Sequence, residues 1–253
     1  MSKIVFITGT TSGFGKSSAF KFAESSYNLI ITGRRKELLT KVAAQIKEKF
    51  NVKVLTLNFD VRNLKEVESS IKSIPAEWQK VDILVNNAGL SAGLSPFDEC
   101  DIDDWERMLD TNIKGLLYVT KFVVPFMIKN NSGHIINISS IAGKDTYQNG
   151  NVYCASKSAV DTLSKAMRVD LLKYNIKVTN ISPGAAETEF SLVRFHGDKE
   201  KADNVYKGYT PLTPDDVADT IFYAASRPAN VNIAEITITP LAQGSAFYYN
   251  KKL

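Results

Sequence analysis

"KIVFITGTTSGFGKSSAF", residues 3–20, runs from a β-branched apolar segment into a glycine-rich turn and on into an amphipathic stretch. The first six residues read as a strand, and the turn carries Gly9, Gly13 and Gly15 in the spacing G-x-x-x-G-x-G. Absent Cβ atoms let backbone N–H groups approach an anion, and a helix that starts at the turn adds a partial positive charge. Thr10, Thr11 and Ser12 add hydroxyls and further N–H groups, and Phe14 lies between the last two glycines. A tight strand-to-helix turn that binds nothing has the same letters. The strand–turn–helix context is nevertheless that of a pyrophosphate cradle for a dinucleotide.

The same alternation continues outward from this unit. Apolar runs at 29–32, 52–59, 81–87, 134–139, 177–182 and 235–239 read as six more strands. They are nearly continuous in hydrophobicity, as strands buried on both faces are. Helical patterns, such as 36–50 and 154–174, lie between them. The repeated order predicts one α/β domain over 1–253, a doubly wound sheet of seven parallel strands flanked by helices. An excursion at 184–212, just past a strand end, is where a substrate lid would be built.

Composition narrows the class. The chain has 253 residues, 44% hydrophobic and 23% charged, with a net charge of +4 spread along its length. Dispersed charge gives no basic block for nucleic acid. No run of about 18 apolar residues is present to span a membrane. Cys100 and Cys154, with only His134 and His196 beside them, supply neither a disulfide framework nor a zinc site. The chain reads as a cytoplasmic protein without a metal.

The second run ends "ITGRRKE". A site for the unphosphorylated dinucleotide places an acid here to accept from the ribose 2′-OH. Gly33 holds that place and Arg34 and Arg35 follow, groups that bind a 2′-phosphate by charge-assisted bonds. The alternative is two solvated arginines opening a helix. The reading predicts NADP(H). Asp60 and Val61 end the third run, and "NNAG" at 86–89, with Asn87, Ala88 and Gly89, ends the fourth. Strand C-terminal ends are where open parallel sheets bind ligands.

In "GNVYCASKSAV", residues 150–160, Tyr153 and Lys157 stand one helical turn apart. A cation near a phenol favours the phenolate and lowers its pKa, making the ring oxygen a usable proton donor and acceptor. Ser140 ends a strand thirteen residues earlier and could hydrogen-bond a substrate oxygen. Asn112 falls mid-helix, where an amide needs a partner.

"TGTTSGFG", "NNAG", Asn112, Ser140, the Y-x-x-x-K of Tyr153 and Lys157, and "SPG" at 182–184 together resemble the classical short-chain dehydrogenases/reductases, over nearly the whole chain. That resemblance implies a Rossmann fold with Tyr153 as general acid/base, Lys157 lowering its pKa and holding the nicotinamide ribose, and Ser140 orienting substrate. It implies that Asn112 anchors a water relay to Lys157. Asp60 and Val61 would contact adenine, and Asn87 the ribose beside the nicotinamide. The segment Pro183, Gly184, Ala185, Ala186, Glu187, Thr188 and Phe190 would cover the nicotinamide end, with Thr188 at the carboxamide. It also implies a homotetramer.

"ETEFSLVRFHGD", "AEWQKVDILVNNAGL" and "LTPDDVAD" are similar to a narrower branch, the NADP-dependent 3-hydroxy acid dehydrogenases that oxidise L-serine and L-allo-threonine. Such a substrate needs a countercharge for its carboxylate, and Arg194 is the candidate. A hinge or an interface ion pair would use the same residue. Tyr147 and Phe190 are pocket candidates or wall packing. Ala185 and Ala186 stand where bulkier aliphatic residues are expected. A broad carbonyl or 3-oxoacyl reductase, and a catalytically silent NADP(H)-binding regulator, are the other two readings.

Overall fold

The computed structural model describes residues 2–252. Seven strands, β1 Ile4–Ile7, β2 Asn28–Thr32, β3 Val54–Leu57, β4 Val81–Asn86, β5 Gly133–Ile138, β6 Ile176–Pro183 and β7 Glu235–Ile238, form one sheet in the order β3-β2-β1-β4-β5-β6-β7. Every neighbouring pair is parallel. The order reverses between β1 and β4, and the crevice at such a reversal is the ligand site of open α/β sheets.

Helices fill the connections: α1 Gly13–Glu24, α2 Lys36–Lys49, α3 Leu64–Lys72, α4 Ile102–Leu109, α5 Leu116–Lys129, α6 Asn151–Asp170, α7 Phe190–Arg194, α8 Lys199–Asn204 and α9 Pro214–Ala225. Side chains alternate across β1, so the sheet has a core on each face. Val5 and Ile7 join Phe22, Leu39 and Ile221 on one side. Ile4 and Phe6 join Val67, Val119 and Met127 on the other.

The seven expected strands are all present, with shifted ends. The run at 52–59 pairs only over Val54–Leu57, because β2, its one neighbour, ends at Thr32 opposite Leu57. At the other edge β7 is half exposed, a departure from strands covered on both faces. The excursion after β6 begins and ends at one place, since Ala186 bridges Leu212. Its return into α9 is fixed by Thr213, whose hydroxyl accepts from the Asp216 backbone N–H, with Pro214 in the first turn. Among the described residues no helix is long and apolar enough to cross a membrane.

Candidate active site

The glycine turn is pressed against the end of β4. Gly9 (φ 69°) and Gly13 (φ 52°) hold left-handed conformations. A Cβ on Gly15 would run into the carbonyl of Gly9 and the amide of Asn87. The Asn87 side chain donates to the carbonyls of Thr8 (2.8 Å) and Gly9 (3.1 Å), and the Thr8 hydroxyl accepts from the backbone of Asn87 and Ala88. Thr10 donates to the carbonyl of Thr32. These ties leave Thr11, Ser12 and Gly13 at the start of α1.

Arg35 leans onto this turn from the end of β2, Nη2 donating to Thr11 Oγ1 and Ser12 Oγ at 2.9 Å each. The same nitrogen meets a carboxylate oxygen of Glu189 at 2.9 Å. Arg34 lies 3.6 Å from Asp60. Burial works against the Asp60 carboxylate, but Arg62 and Arg34 outweigh it and hold the group below its usual range. Val61 is buried where a Cβ on Gly115 would stand. Glycines too close for side chains, a helix N-terminus and two guanidinium groups, each already facing a carboxylate, suit a phosphorylated dinucleotide.

Tyr153 lies in the first turn of α6, which starts at Asn151, three residues before the expected 154, and Lys157 follows one turn later. Both are buried. Lys157 Nζ donates to the carbonyl of Ile138 (3.0 Å) and lies 5.9 Å from the Tyr153 ring centroid. Burial pushes Lys157 down to about 8, with Asp161 opposing. Burial also raises the Tyr153 phenol, against the Arg194 charge and the neighbouring Ser140 hydroxyl, which donates to the Pro183 carbonyl at 3.4 Å. The spacing of Tyr153 and Lys157 predicts a lowered phenol. In the folded chain desolvation wins and the value lies above the ordinary one.

Asn112 sits in a π-helical turn, Asp110–Gly115, that joins α4 to α5. Its amide accepts from the Leu90 N–H (2.9 Å) and donates to the Leu90 carbonyl (2.8 Å) and Ser156 Oγ (3.0 Å). A Cβ on Gly89 would come within 3.2 Å of Asn112 Oδ1 and 3.3 Å of Lys157 Nζ, so these two groups flank one stretch of backbone.

The segment after β6 closes over this floor. Gly184 and Ala185 are fixed by buried Gln243, whose Oε1 accepts from the Ala185 N–H (2.8 Å). Ala186 accepts from the Tyr206 hydroxyl (2.9 Å) and the Glu187 N–H donates to the Leu212 carbonyl. Thr188 stands 3.6 Å from where a Gly13 Cβ would be. Phe190 packs on Tyr153, ring centroids 5.5 Å apart. Arg194 ends α7 with its guanidinium carbon 5.3 Å from the Tyr153 ring, 5.0 Å from Phe190 and 5.8 Å from Tyr147. Nε donates to Ser91 Oγ (3.1 Å) and Nη2 to the Tyr147 hydroxyl (2.9 Å). A cavity of about 310 Å³ opens here, lined by Tyr153, Tyr147, Arg194, Ser91 and Trp105 among others.

A family model described as "short chain dehydrogenase" matches residues 3–198. The chain belongs to the short-chain dehydrogenases. It is 46% identical over 244 residues to the NADP-dependent 3-hydroxy acid dehydrogenase YdfG of Salmonella typhi, covering 96% of this chain and 97% of that one. It is 45% identical over 249 residues to sulfoacetaldehyde reductase 2 of Chromohalobacter salexigens, covering 98% of each. A solved closed form of serine dehydrogenase complexed with NADP+ superposes with a TM-score of 0.91 at 42% identity, over 99% of this chain and 100% of that one.

This short-chain dehydrogenase also carries contacts that sequence reasoning did not find. The Gly93 N–H donates to the Arg194 carbonyl (3.0 Å) and Ser91 holds its Nε, so the loop after β4 fixes Arg194 at both ends. Buried Asp104 on α4 meets His196 Nε2 at 3.0 Å and Arg107 at 3.1 Å. Partners 92 and 103 residues apart leave no local pattern to read.

Proposed function

We propose that this short-chain dehydrogenase interconverts short 3-hydroxy acids, such as L-serine or L-allo-threonine, with the corresponding 3-oxo acids, using NADP(H). The observation that carries the reading is Arg194, a cation stacked over the Tyr153 ring and held by Ser91 and Tyr147. Among the described residues no carboxylate pairs with it, which is the state expected of a group kept for a substrate anion. Glu189, which could have cancelled that charge, is turned to Arg35. The names of the relatives support the same class.

In this reading the bound dinucleotide supplies a nicotinamide that accepts or donates hydride at C4. Arg34 and Arg35, with Ser12 and Thr11, hold the 2′-phosphate. Asp60 and Val61 bound the adenine, and Asn87, Thr188 and Lys157 the nicotinamide end. Arg194 fixes the substrate carboxylate, Ser140 donates to the reacting oxygen, and Tyr153 passes the proton to or from it. Because burial favours the protonated phenol, the resting site is ready to donate in reduction, and alcohol oxidation gains as pH rises. Lys157 keeps its position through Ile138, and Asn112 holds the Leu90 backbone beside it. The segment 184–212 acts as the lid, and the assembly is a homotetramer.

Formation of NADPH from NADP+ and L-serine at alkaline pH is the test. Arg194→Ala should raise KM for L-serine far more than for an uncharged alcohol; equal effects would refute the anion role. A sulfonate presents the same charge to Arg194, so the substrate panel includes sulfoacetaldehyde in the reducing direction. No turnover of any member would favour a silent dinucleotide-binding protein.

A further inference from the structure

Glu189 lies between the two halves of the site. It follows Thr188, which stands over Gly13, and it directly precedes α7, whose first and last residues, Phe190 and Arg194, both pack on Tyr153. Its side chain points away from that pocket. The carboxylate oxygen Oε2 lies 2.9 Å from Arg35 Nη2, the nitrogen that also donates to Thr11 Oγ1 and Ser12 Oγ. Partial burial works against this carboxylate, yet Arg35, the Ser12 hydroxyl and the charge of Lys16 hold it below its usual range.

This is the donor set that a ribose 2′-phosphate needs: a guanidinium beside the end of β2 and hydroxyls from the glycine turn. One guanidinium nitrogen and one serine hydroxyl do not serve a carboxylate and a phosphate dianion together, and the two anions repel. We infer that Glu189 is a built-in competitor for the 2′-phosphate, a residue of the lid segment that must leave Arg35 before the phosphorylated dinucleotide is fully seated. The inference rests on the NADP(H) reading. Its consequence is a link between the ends of the site. The phosphate that displaces Glu189 also frees the residue from which α7, and with it Phe190 and Arg194, is hung. A dinucleotide without the phosphate leaves Glu189 where it is.

The pair is half exposed, with side-chain exposures of 47% for Arg35 and 52% for Glu189, so solvent screens it and the competition is modest. Calorimetric titration of the full chain with adenosine nucleotides needs no turnover. The probes are adenosine 2′,5′-bisphosphate (2′,5′-ADP) and 5′-AMP, which differ only in the 2′-phosphate, compared in the parent protein and Glu189→Gln. Glu189→Gln should tighten 2′,5′-ADP by roughly two- to fivefold and leave 5′-AMP unchanged. Equal tightening of both probes would overturn the proposal, since it would reflect only a lost negative charge near the 5′-phosphate that both carry. Weaker or unaltered binding of 2′,5′-ADP would overturn it as well, Glu189 then being a clamp or a bystander. Equal affinity of the parent protein for the two probes would instead reject the phosphate assignment beneath it, and that result is read before any variant is made.

Discussion

The Arg194 guanidinium lies 5.3 Å from the centroid of the Tyr153 ring, nearer than Lys157 Nζ at 5.9 Å. Two basic groups thus lie near one phenol, and the lid residue is the closer to the ring. Burial raises the phenol, while Arg194 stabilises its ionised form. In the proposed mechanism alcohol oxidation needs the phenolate, so kcat/KM should rise with pH through this titration. Arg194→Met removes a cation that favours the phenolate, and the rising limb should move to higher pH. The profile is measured with an uncharged alcohol, so that lost carboxylate binding does not enter. A limb that stays in place or moves down would show that Arg194 does not act on Tyr153.

The most exposed large apolar side chains among the described residues lie in three places. Phe97 and Ile102 stand out around the start of α4, Val169 and Leu172 at the end of α6, and Leu241, Phe247 and Tyr248 on the tail after β7. Strand β7 is itself an open edge. Surfaces of this kind are covered in stable assemblies. Light scattering at micromolar concentration should give four chains, and a Leu241→Glu, Phe247→Glu variant should give fewer. A monomeric parent protein would reject the tetramer.

The fold was legible because parallel strands covered on both faces leave continuous apolar runs, and because Gly9, Gly13 and Gly15 mark a turn where no side chain fits. The types of the site residues were legible for a similar reason. A phenol and an amine one turn apart, or an asparagine inside a helix, are conspicuous against a packed background. Their partners were not. Asn112 bonds Leu90, 22 residues away, and Arg35 meets Glu189 across 154 residues, distances over which no periodicity carries information. The energetic sign at Tyr153 was also hidden, because it depends on how deeply the ring is buried and not on the spacing of Tyr153 and Lys157. Only the folded chain shows that Glu189 faces Arg35 and leaves Arg194 free of a carboxylate partner among the described residues.

His134 gives a prediction about stability. It lies buried on β5 with Nε2 2.7 Å from the Thr179 hydroxyl on β6. That hydroxyl donates its one hydrogen to the Ile233 carbonyl (2.6 Å), so His134 Nε2 must be the donor and Nδ1 the bare nitrogen. Nδ1 has no partner among the described residues. Burial, with the Lys177 charge adding to it, pushes the ring down to about 3 from an ordinary 6.5. The unfolded chain therefore takes up a proton below about 6.5 that the folded chain refuses until about 3, and stability falls with pH across that window. At pH 5 the loss from this one ring is about 2 kcal/mol. The carboxylates held low, such as Asp60 and Glu189, act in the same direction but only below their ordinary values of 3.8 and 4.5, outside the range between pH 7 and pH 5. His134→Gln keeps an amide donor for Thr179 and carries no titrating ring. Its Tm at pH 7 should drop, yet its further decline between pH 7 and pH 5 should be shallower than that of the parent protein. Parallel declines would show that the His134 ring does not set the pH dependence in this window.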